Sequence, residues 1–345
     1  MLGKFIKKVL ITTMVICFSS ISFSTYAYAS PKVVTSSINN EQGGKNFTFA
    51  HITDIHMGRD IDDYGTEGYD DEAPEGDVGV AAQNLRDTVN WINENYESKG
   101  IEFVIITGDI SDSAEKSEFV KAKEILDTLE IPYVPLTGNH DIWPYTSNDE
   151  APEAVGEQYF MEVFEDTFDS LSTHFEEWDD GTRLTKTWNP EQNCYNYFQN
   201  FAFNYKGYHF MCADFNARFH SKTVGVPSEA SLYDFSGGTW SWFKDHYNEY
   251  KSDEEDKMLI FAHHGLTNDF KSTFSPNEYK KVSSFLYDNG NINRTGLWCY
   301  GHMHMNIEAN AYKLGSLGAI CPRIQTAACK DGDGKLRVIT VWGAE

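Results

Sequence analysis

The sequence predicts an α/β protein on three observations: short apolar runs recur along the chain, each ends in a polar cluster, and amphipathic helical patterns fill the intervals. The runs are Phe47 to Thr53, Phe103 to Ile106, Ile131 to Leu136, Met258 to Phe261 and Leu297 to Tyr300. Rich in Ile, Val and aromatics, they read as buried strands. The first helical face is Val78, Ala81, Leu85, Val89, Ile92 and Tyr96, with Asp77 as N-cap. Phe119, Ala122, Leu126 and Leu129 give a second face. A third helix follows Ser275, which serves as N-cap with Pro276 at the first position, Glu278 closing a capping box and Gly290 as terminator. Phe201 to Tyr205 and Tyr208 to Cys212 form a hairpin about Lys206-Gly207, and Leu336 to Val341 is a last strand. It is entered through Asp331 to Gly334, which opens like a calcium loop but lacks the closing Glu and reads as a turn. In open α/β sheets, binding residues collect beyond the C-terminal ends of the strands, so the five polar clusters should converge.

The chain ends and composition set further bounds. Lys4, Lys7 and Lys8 precede an apolar run from Val9 to Ile21, and Ala27-Tyr28-Ala29 stands before Ser30. A basic start, an apolar middle too short to span a membrane and an A-x-A end describe a signal peptide over residues 1–29. The mature chain is then expected to be secreted, or retained at the cell surface, with no membrane span. Residues 30–45, with Pro31, Ser and Asn residues and Gly43-Gly44, read as a mobile lead-in. Residues 46–345 show neither linker nor repeat and are taken as one domain and a monomer. Cleavage removes three of 28 basic residues and none of 52 acidic ones, leaving 25 against 52 and a net charge of −27. Such a surface excludes a nucleic-acid-binding module, which needs a basic footprint. Five cysteines remain, Cys194, Cys212, Cys299, Cys321 and Cys329; their spacing gives no disulfide framework or thiolate zinc site, and allows a Cys321–Cys329 bridge or buried free thiols.

The chemistry lies in the clusters: Asp54-Ile55-His56, Gly108-Asp109, Gly138-Asn139-His140-Asp141, His263-His264-Gly265 and Gly301-His302-Met303-His304. Three oxygen donors (Asp54, Asp109, Asn139) and four imidazoles (His56, His263, His302, His304) suit Mn, Fe, Zn or Ni, whereas Ca and Mg prefer oxygen throughout. Seven ligands are too many for one ion. They serve two divalent ions if Asp109 bridges. In D-x-H and H-x-H, an intervening residue on an extended segment lets both side chains point one way.

In order and content, D-x-H, G-D, G-N-H-D, a His after a strand and G-H-x-H resemble the motifs of the calcineurin-like metallophosphoesterases, over residues 47 to about 305. The resemblance implies two mixed β-sheets packed face to face with flanking helices in four layers, and a site at the sheet ends. It implies one ion on Asp54, His56, Asp109 and His304 and a second on Asp109, Asn139, His263 and His302. It also implies a small phosphate-ester substrate, monoester or diester, hydrolysed by in-line attack of a metal-bridging hydroxide. His140 is placed to protonate the leaving group, with Asp141 orienting it and raising its basicity. His264 would touch substrate or support a ligand.

Departures from the pattern narrow the reading. Protein Ser/Thr phosphatases of this class carry arginines where this chain has Ile110-Ser111-Asp112 and Asp141-Ile142, and purple acid phosphatases carry an iron-binding Tyr at the position of Asp112. The H-x-H-x-D-H run of metallo-β-lactamases is absent. The alternative from another class is a non-catalytic, metal-stabilised binding protein of the cell surface. An insertion at 142–200, rich in Trp, Tyr and Phe, is either a cap over the site or, from the helical spacing of Phe160, Phe164 and Phe168, the core of a helical insert. The acidic loop from Asp60 to Asp77 is a solvated excursion or a gate.

Overall fold

The structure is a computed structural model, and it describes residues 30–40, 44–65, 72–142, 156–218, 229–250, 257–267, 273–288, 290–316, 318–331 and 335–343. The expected signal peptide, Trp143, Tyr145 and most of the Asp331–Gly334 turn lie outside them. In chain order the elements are β1 Lys32–Asn39, β2 Phe47–Ile52, α1 Val80–Lys99, β3 Ile101–Thr107, α2 Lys116–Leu126, β4 Tyr133–Leu136, α3 Gly156–His174, β5 Glu176–Asp179 and β6 Lys186–Asn189. There follow β7 Cys194–Tyr197, β8 Phe201–Tyr205, β9 Tyr208–Cys212, α4 Thr239–Glu249, β10 Lys257–Phe261, α5 Pro276–Tyr287, β11 Thr295–Tyr300, β12 Ile307–Tyr312, β13 Ala319–Gln325 and β14 Lys335–Trp342.

The strands form two mixed sheets, in the orders β1-β14-β2-β3-β4 and β12-β13-β11-β10-β9-β8-β5, besides the small β6–β7 ribbon. Side-chain alternation explains how they stack. On β10 and β11, Leu259, Phe261, Leu297 and Cys299 face the first sheet, while Met258, Ile260, Trp298 and Tyr300 join a separate core with Trp240 and Phe243 of α4 and Tyr279 and Val282 of α5. Both faces are buried, so these strands show no polar alternation in sequence. Between the sheets, Phe49 meets Phe261 with ring centroids 5.7 Å apart and Phe103 meets Phe210 at 5.9 Å. Each such pair adds about 0.5–1.5 kcal/mol to the burial of the rings. α1 packs on β3, α2 on α1, and α3 on α2 and β4, closing the outer side of the first sheet.

Local signals behave unevenly. Around α5, Ser275 Oγ accepts from the Glu278 N–H and the reciprocal contact completes the capping box. The Lys206-Gly207 turn has φ of 54° and 80°, the two left-handed residues of a type I′ hairpin. By contrast, α1 starts at Val80 with Gly79 as N-cap, because the Asp77 carboxylate is held instead by Arg86 at 3.0 Å. The lead-in reading of residues 30–45 fails for Lys32–Asn39, which pairs in parallel with β14 from Lys32↔Lys335 to Asn39↔Trp342. An edge strand held by main-chain bonds needs little apolar content, which is why composition missed it. In the insertion, Phe160, Phe164 and Phe168 lie in the core on α3, so these three are helical core, while the rest of its described part carries β5 and the β6–β7 ribbon. Cys194, Cys212, Cys299, Cys321 and Cys329 are free thiols, and Cys321 and Cys329 are both buried.

Candidate metal centre

The five clusters meet at one end of the two sheets. Five of the seven expected ligands hold a left-handed backbone: φ is 54° at Asp54, 48° at His56, 50° at Asp109, 72° at His302 and 53° at His304. Non-glycine residues adopt this region at a cost and do so mainly where surrounding structure over-determines them. The extended segments expected for D-x-H and H-x-H are therefore absent; the backbone turns at each ligand and aims its side chain inward. Neighbouring main chain holds these turns: the N–H groups of Asp54 and His56 donate to the carbonyls of Gly108 and Asp109 at 3.0 and 2.9 Å.

Asp109 lies between the two expected ligand sets. Its Oδ2 lies 3.5 Å from His56 Nε2 and 3.1 Å from His263 Nε2. His304 Nε2 lies 3.2 Å from Asp54 Oδ1, and His302 Nδ1 lies 3.2 Å from His263 Nε2. Asp54, His56 and His304 form one compact group of donor atoms, and Asp54, Asp109 and His263 another. Asn139 is buried beside Asp109, whose Oδ1 accepts from the His140 N–H at 2.9 Å. Within this arrangement His56 Nε2 is buried and makes no hydrogen bond with any described group. An unsatisfied nitrogen facing two carboxylates and a mixed N/O donor set fits divalent transition-metal ions.

The far sides of the rings are held too. His263 Nδ1 donates to the Thr107 carbonyl at 2.7 Å, which turns Nε2 toward Asp109. His56 Nδ1 lies 2.7 Å from Asp112 Oδ1. Asp54 Oδ2 accepts from Thr53 Oγ1 at 2.8 Å and from the His302 N–H at 3.0 Å. Burial pushes the Asp54 carboxyl up, but His304 and His263 outweigh it and hold it at about 2. Asp109 likewise lies well below the carboxylate range, burial being outweighed by His263 and His140. His263 is held at about 9, because the Asp109 carboxylate overcomes burial. Both carboxylates are thus ionised and ready to bind cations.

The expected Asp141–His140 pairing is not made. Asp141 is fully buried, and its carboxylate accepts from the N–H groups of Ile110, Ser111 and Gly138 at 3.1, 2.7 and 2.8 Å and from Ser111 Oγ at 2.8 Å. It ties the loop bearing Asp109 to the loop bearing Asn139. Burial and the Asp109 charge push it up to about 7. His140 instead points Nδ1 at the Asp112 carbonyl, 2.5 Å away, so Nδ1 carries the proton and donates. Its ring packs edge-on against His56, with centroids 4.5 Å apart. Burial holds His140 down at about 4 in spite of Asp109. His264 is fully buried against His302, 4.4 Å between ring centroids, and neither of its ring nitrogens makes a hydrogen bond with a described group. One of its donor atoms lies within 4.8 Å of those of His263 and His302.

Asp112 is the residue sequence reasoning undervalued: its side chain holds His56 and its carbonyl holds His140, and its place three residues after Asp109 was the available signal. Gly301 is another. A Cβ there would collide with Thr53 Oγ1 and reach 2.6 Å from Asp54 Oδ2. Gly301→Ala should therefore displace Asp54 and leave a folded protein that takes up about one ion fewer than the wild type, as read by metal analysis after dialysis. Full occupancy would show that Asp54 is not held from this side.

A pair of face-to-face mixed sheets carrying two Asp/His ligand sets at one end defines a metal-dependent phosphoric ester hydrolase. The chain belongs to the calcineurin-like phosphoesterases, whose sequence profile matches residues 47–306. No curated protein matches the sequence. Among solved structures, a dimetal phosphatase from Danio rerio is similar at 12% identity, with 86% of this chain and 93% of that chain covered and a TM-score of 0.50. A purple acid phosphatase from yellow lupin (Lupinus luteus) is similar at 12% identity, over 85% of this chain and 45% of that chain, with a TM-score of 0.42. Among the described residues, no helix is long and apolar enough to cross a membrane.

Proposed function

We propose that this chain is an exported phosphoesterase that hydrolyses small phosphate mono- or diesters at a two-ion centre. The observation that carries the reading is the position of Asp109 Oδ2, within reach of His56 on one side and His263 on the other. When bound, two divalent ions polarise the phosphoryl group and make a nucleophile available near neutral pH. His56 and His304 with Asp54 would hold the first ion; Asn139, His263 and His302 the second; Asp109 both. Export is supported by the basic start, the apolar run from Val9 to Ile21 and Ala27-Tyr28-Ala29. The test is release of p-nitrophenol by Mn-loaded protein from mono- and bis-p-nitrophenyl phosphate. Protein that carries two ions and cuts neither ester across about pH 5 to 9 would overturn the reading.

His140 acts at the leaving group. Its Nδ1 proton is committed to the Asp112 carbonyl, so Nε2 is the ring atom that would serve the departing oxygen, and with the imidazole held at about 4 it must gain its proton as the negative charge of the substrate enters. A poor leaving group needs that help more than p-nitrophenolate does. His140→Ala should accordingly lower kcat/KM on an alkyl phosphate by about 10²- to 10⁴-fold and on p-nitrophenyl phosphate by much less. Equal losses on the two esters would place His140 in binding rather than proton transfer.

A further inference from the structure

His302 is gripped on both edges of its ring. Nδ1 faces the ligand cluster, 3.2 Å from His263 Nε2, while Nε2 lies 2.9 Å from Glu229 Oε2. A carboxylate can only accept, so Nε2 carries the hydrogen and the lone pair is confined to Nδ1. Without such a partner an imidazole can place its proton on either nitrogen and rotate about χ2, and half of the resulting states would turn a proton toward the ion. We infer that Glu229 is a positioning residue of the second ion's site, fixing the tautomer and the ring plane of His302. The inference rests on the two-ion reading above.

Main-chain hydrogen bonds hold the backbone of Glu229, although its side chain is half exposed. Its carbonyl accepts from the Ala217 N–H at 3.1 Å, and Ser231 N–H donates to the Phe215 carbonyl at 2.8 Å, so 229–231 runs antiparallel to 215–217. Asn216 within that strip donates from Nδ2 to the Thr137 carbonyl at 2.8 Å, immediately before Gly138 and Asn139. Arg218, one residue past the strip, is fully buried and clamped by Asp214 and Glu157. The carboxylate that reaches His302 is thus mounted on the same framework that places Asn139, the other ligand expected on that ion. Because Glu229 is 49% exposed, water screens its charge, and the hydrogen bond should outweigh the Coulomb attraction. Glutamine, whose Oε1 also accepts, should then replace it nearly in full, whereas alanine should not.

Calorimetric titration of metal-free protein with Mn²⁺ separates the outcomes. The expected result is two ions on the wild type, with the weaker or second-set affinity reduced roughly 10- to 100-fold by Glu229→Ala, restored largely by Glu229→Gln, and the other ion's affinity unchanged. Thermal unfolding of the metal-free variants, expected to match the wild type, excludes loss of fold as the cause. If Glu229→Ala binds both ions as the wild type does, or if Glu229→Gln is no better than Glu229→Ala, the inference is overturned alone. A wild type that binds fewer than two ions overturns the two-ion reading, and the inference with it.

Discussion

Asp109→Ala is expected to abolish hydrolysis, lowering kcat/KM by about 10³-fold or more. Asp109 Oδ2 lies within 3.5 Å of imidazoles from both expected ligand sets, so its removal would strip a ligand from each ion. Divalent ions supply several kcal/mol of stabilisation to the transition state, and each 1.36 kcal/mol is tenfold in rate. Asp109 also accepts the His140 N–H at 2.9 Å, so alanine frees the loop that carries Asn139 as well. Asp109→Asn is the more informative companion. It keeps that hydrogen bond and the side-chain volume but loses the charge that draws two cations together. Metal analysis should find fewer than two ions on either variant; two tightly held ions on Asp109→Asn would show that the bridge is dispensable.

Arg218→Ala should destabilise the fold by about 3–5 kcal/mol, as expected when one partner of a buried ion pair is removed and the other charge is left without compensation. The guanidinium is fully buried and meets Asp214 through two nitrogens, at 2.8 and 2.5 Å, and Glu157 at 3.2 Å. It also lies over the Phe198 ring at 4.8 Å. Glu157 begins α3, whereas Asp214 and Arg218 follow β9, so the cluster fastens the insertion to the second sheet. Urea unfolding measures the loss, and a change below about 1 kcal/mol would mean that the pair contributes only at surface strength.

One arginine cannot fully satisfy two buried carboxylates. Asp214 takes the paired contact, and burial, partly offset by Arg218, pushes Glu157 up from 4.5 to about 7. The folded state then binds that proton more tightly than the unfolded chain. Its contribution is complete below about pH 4.5 and declines as pH rises toward about 7. Glu157→Gln removes the decline, so its stability relative to the wild type should improve across this window. Parallel stability curves for the two proteins would contradict the assignment.

Much of the site was legible because its chemistry is concentrated. Each ligand cluster follows a buried apolar run, and runs of that kind become sheet strands whose ends must lie together. Ser275, Pro276 and Glu278 were legible for the same kind of reason: a capping box is complete within four residues. β1 was not, since an edge strand held by main-chain bonds leaves little trace in side-chain pattern. Asp141 misled because adjacency to His140 suggested contact, whereas a turn carries neighbouring side chains apart and its carboxylate was needed by three N–H groups.

By itself the sequence determined the α/β class and the helical character of Phe160, Phe164 and Phe168, and it supplied the seven expected donors with Asp109 as the expected bridge. Only the tertiary structure decided which nitrogens of His56, His263, His302 and His304 face the donor cluster, that Asp112 and Glu229 lie against His56 and His302, and that Asp141 joins two loops. The physical reason is range. Donor identity and periodicity are properties of a few consecutive residues, whereas a ring's orientation is set by a hydrogen bond to a partner that folding brings from a distant part of the chain.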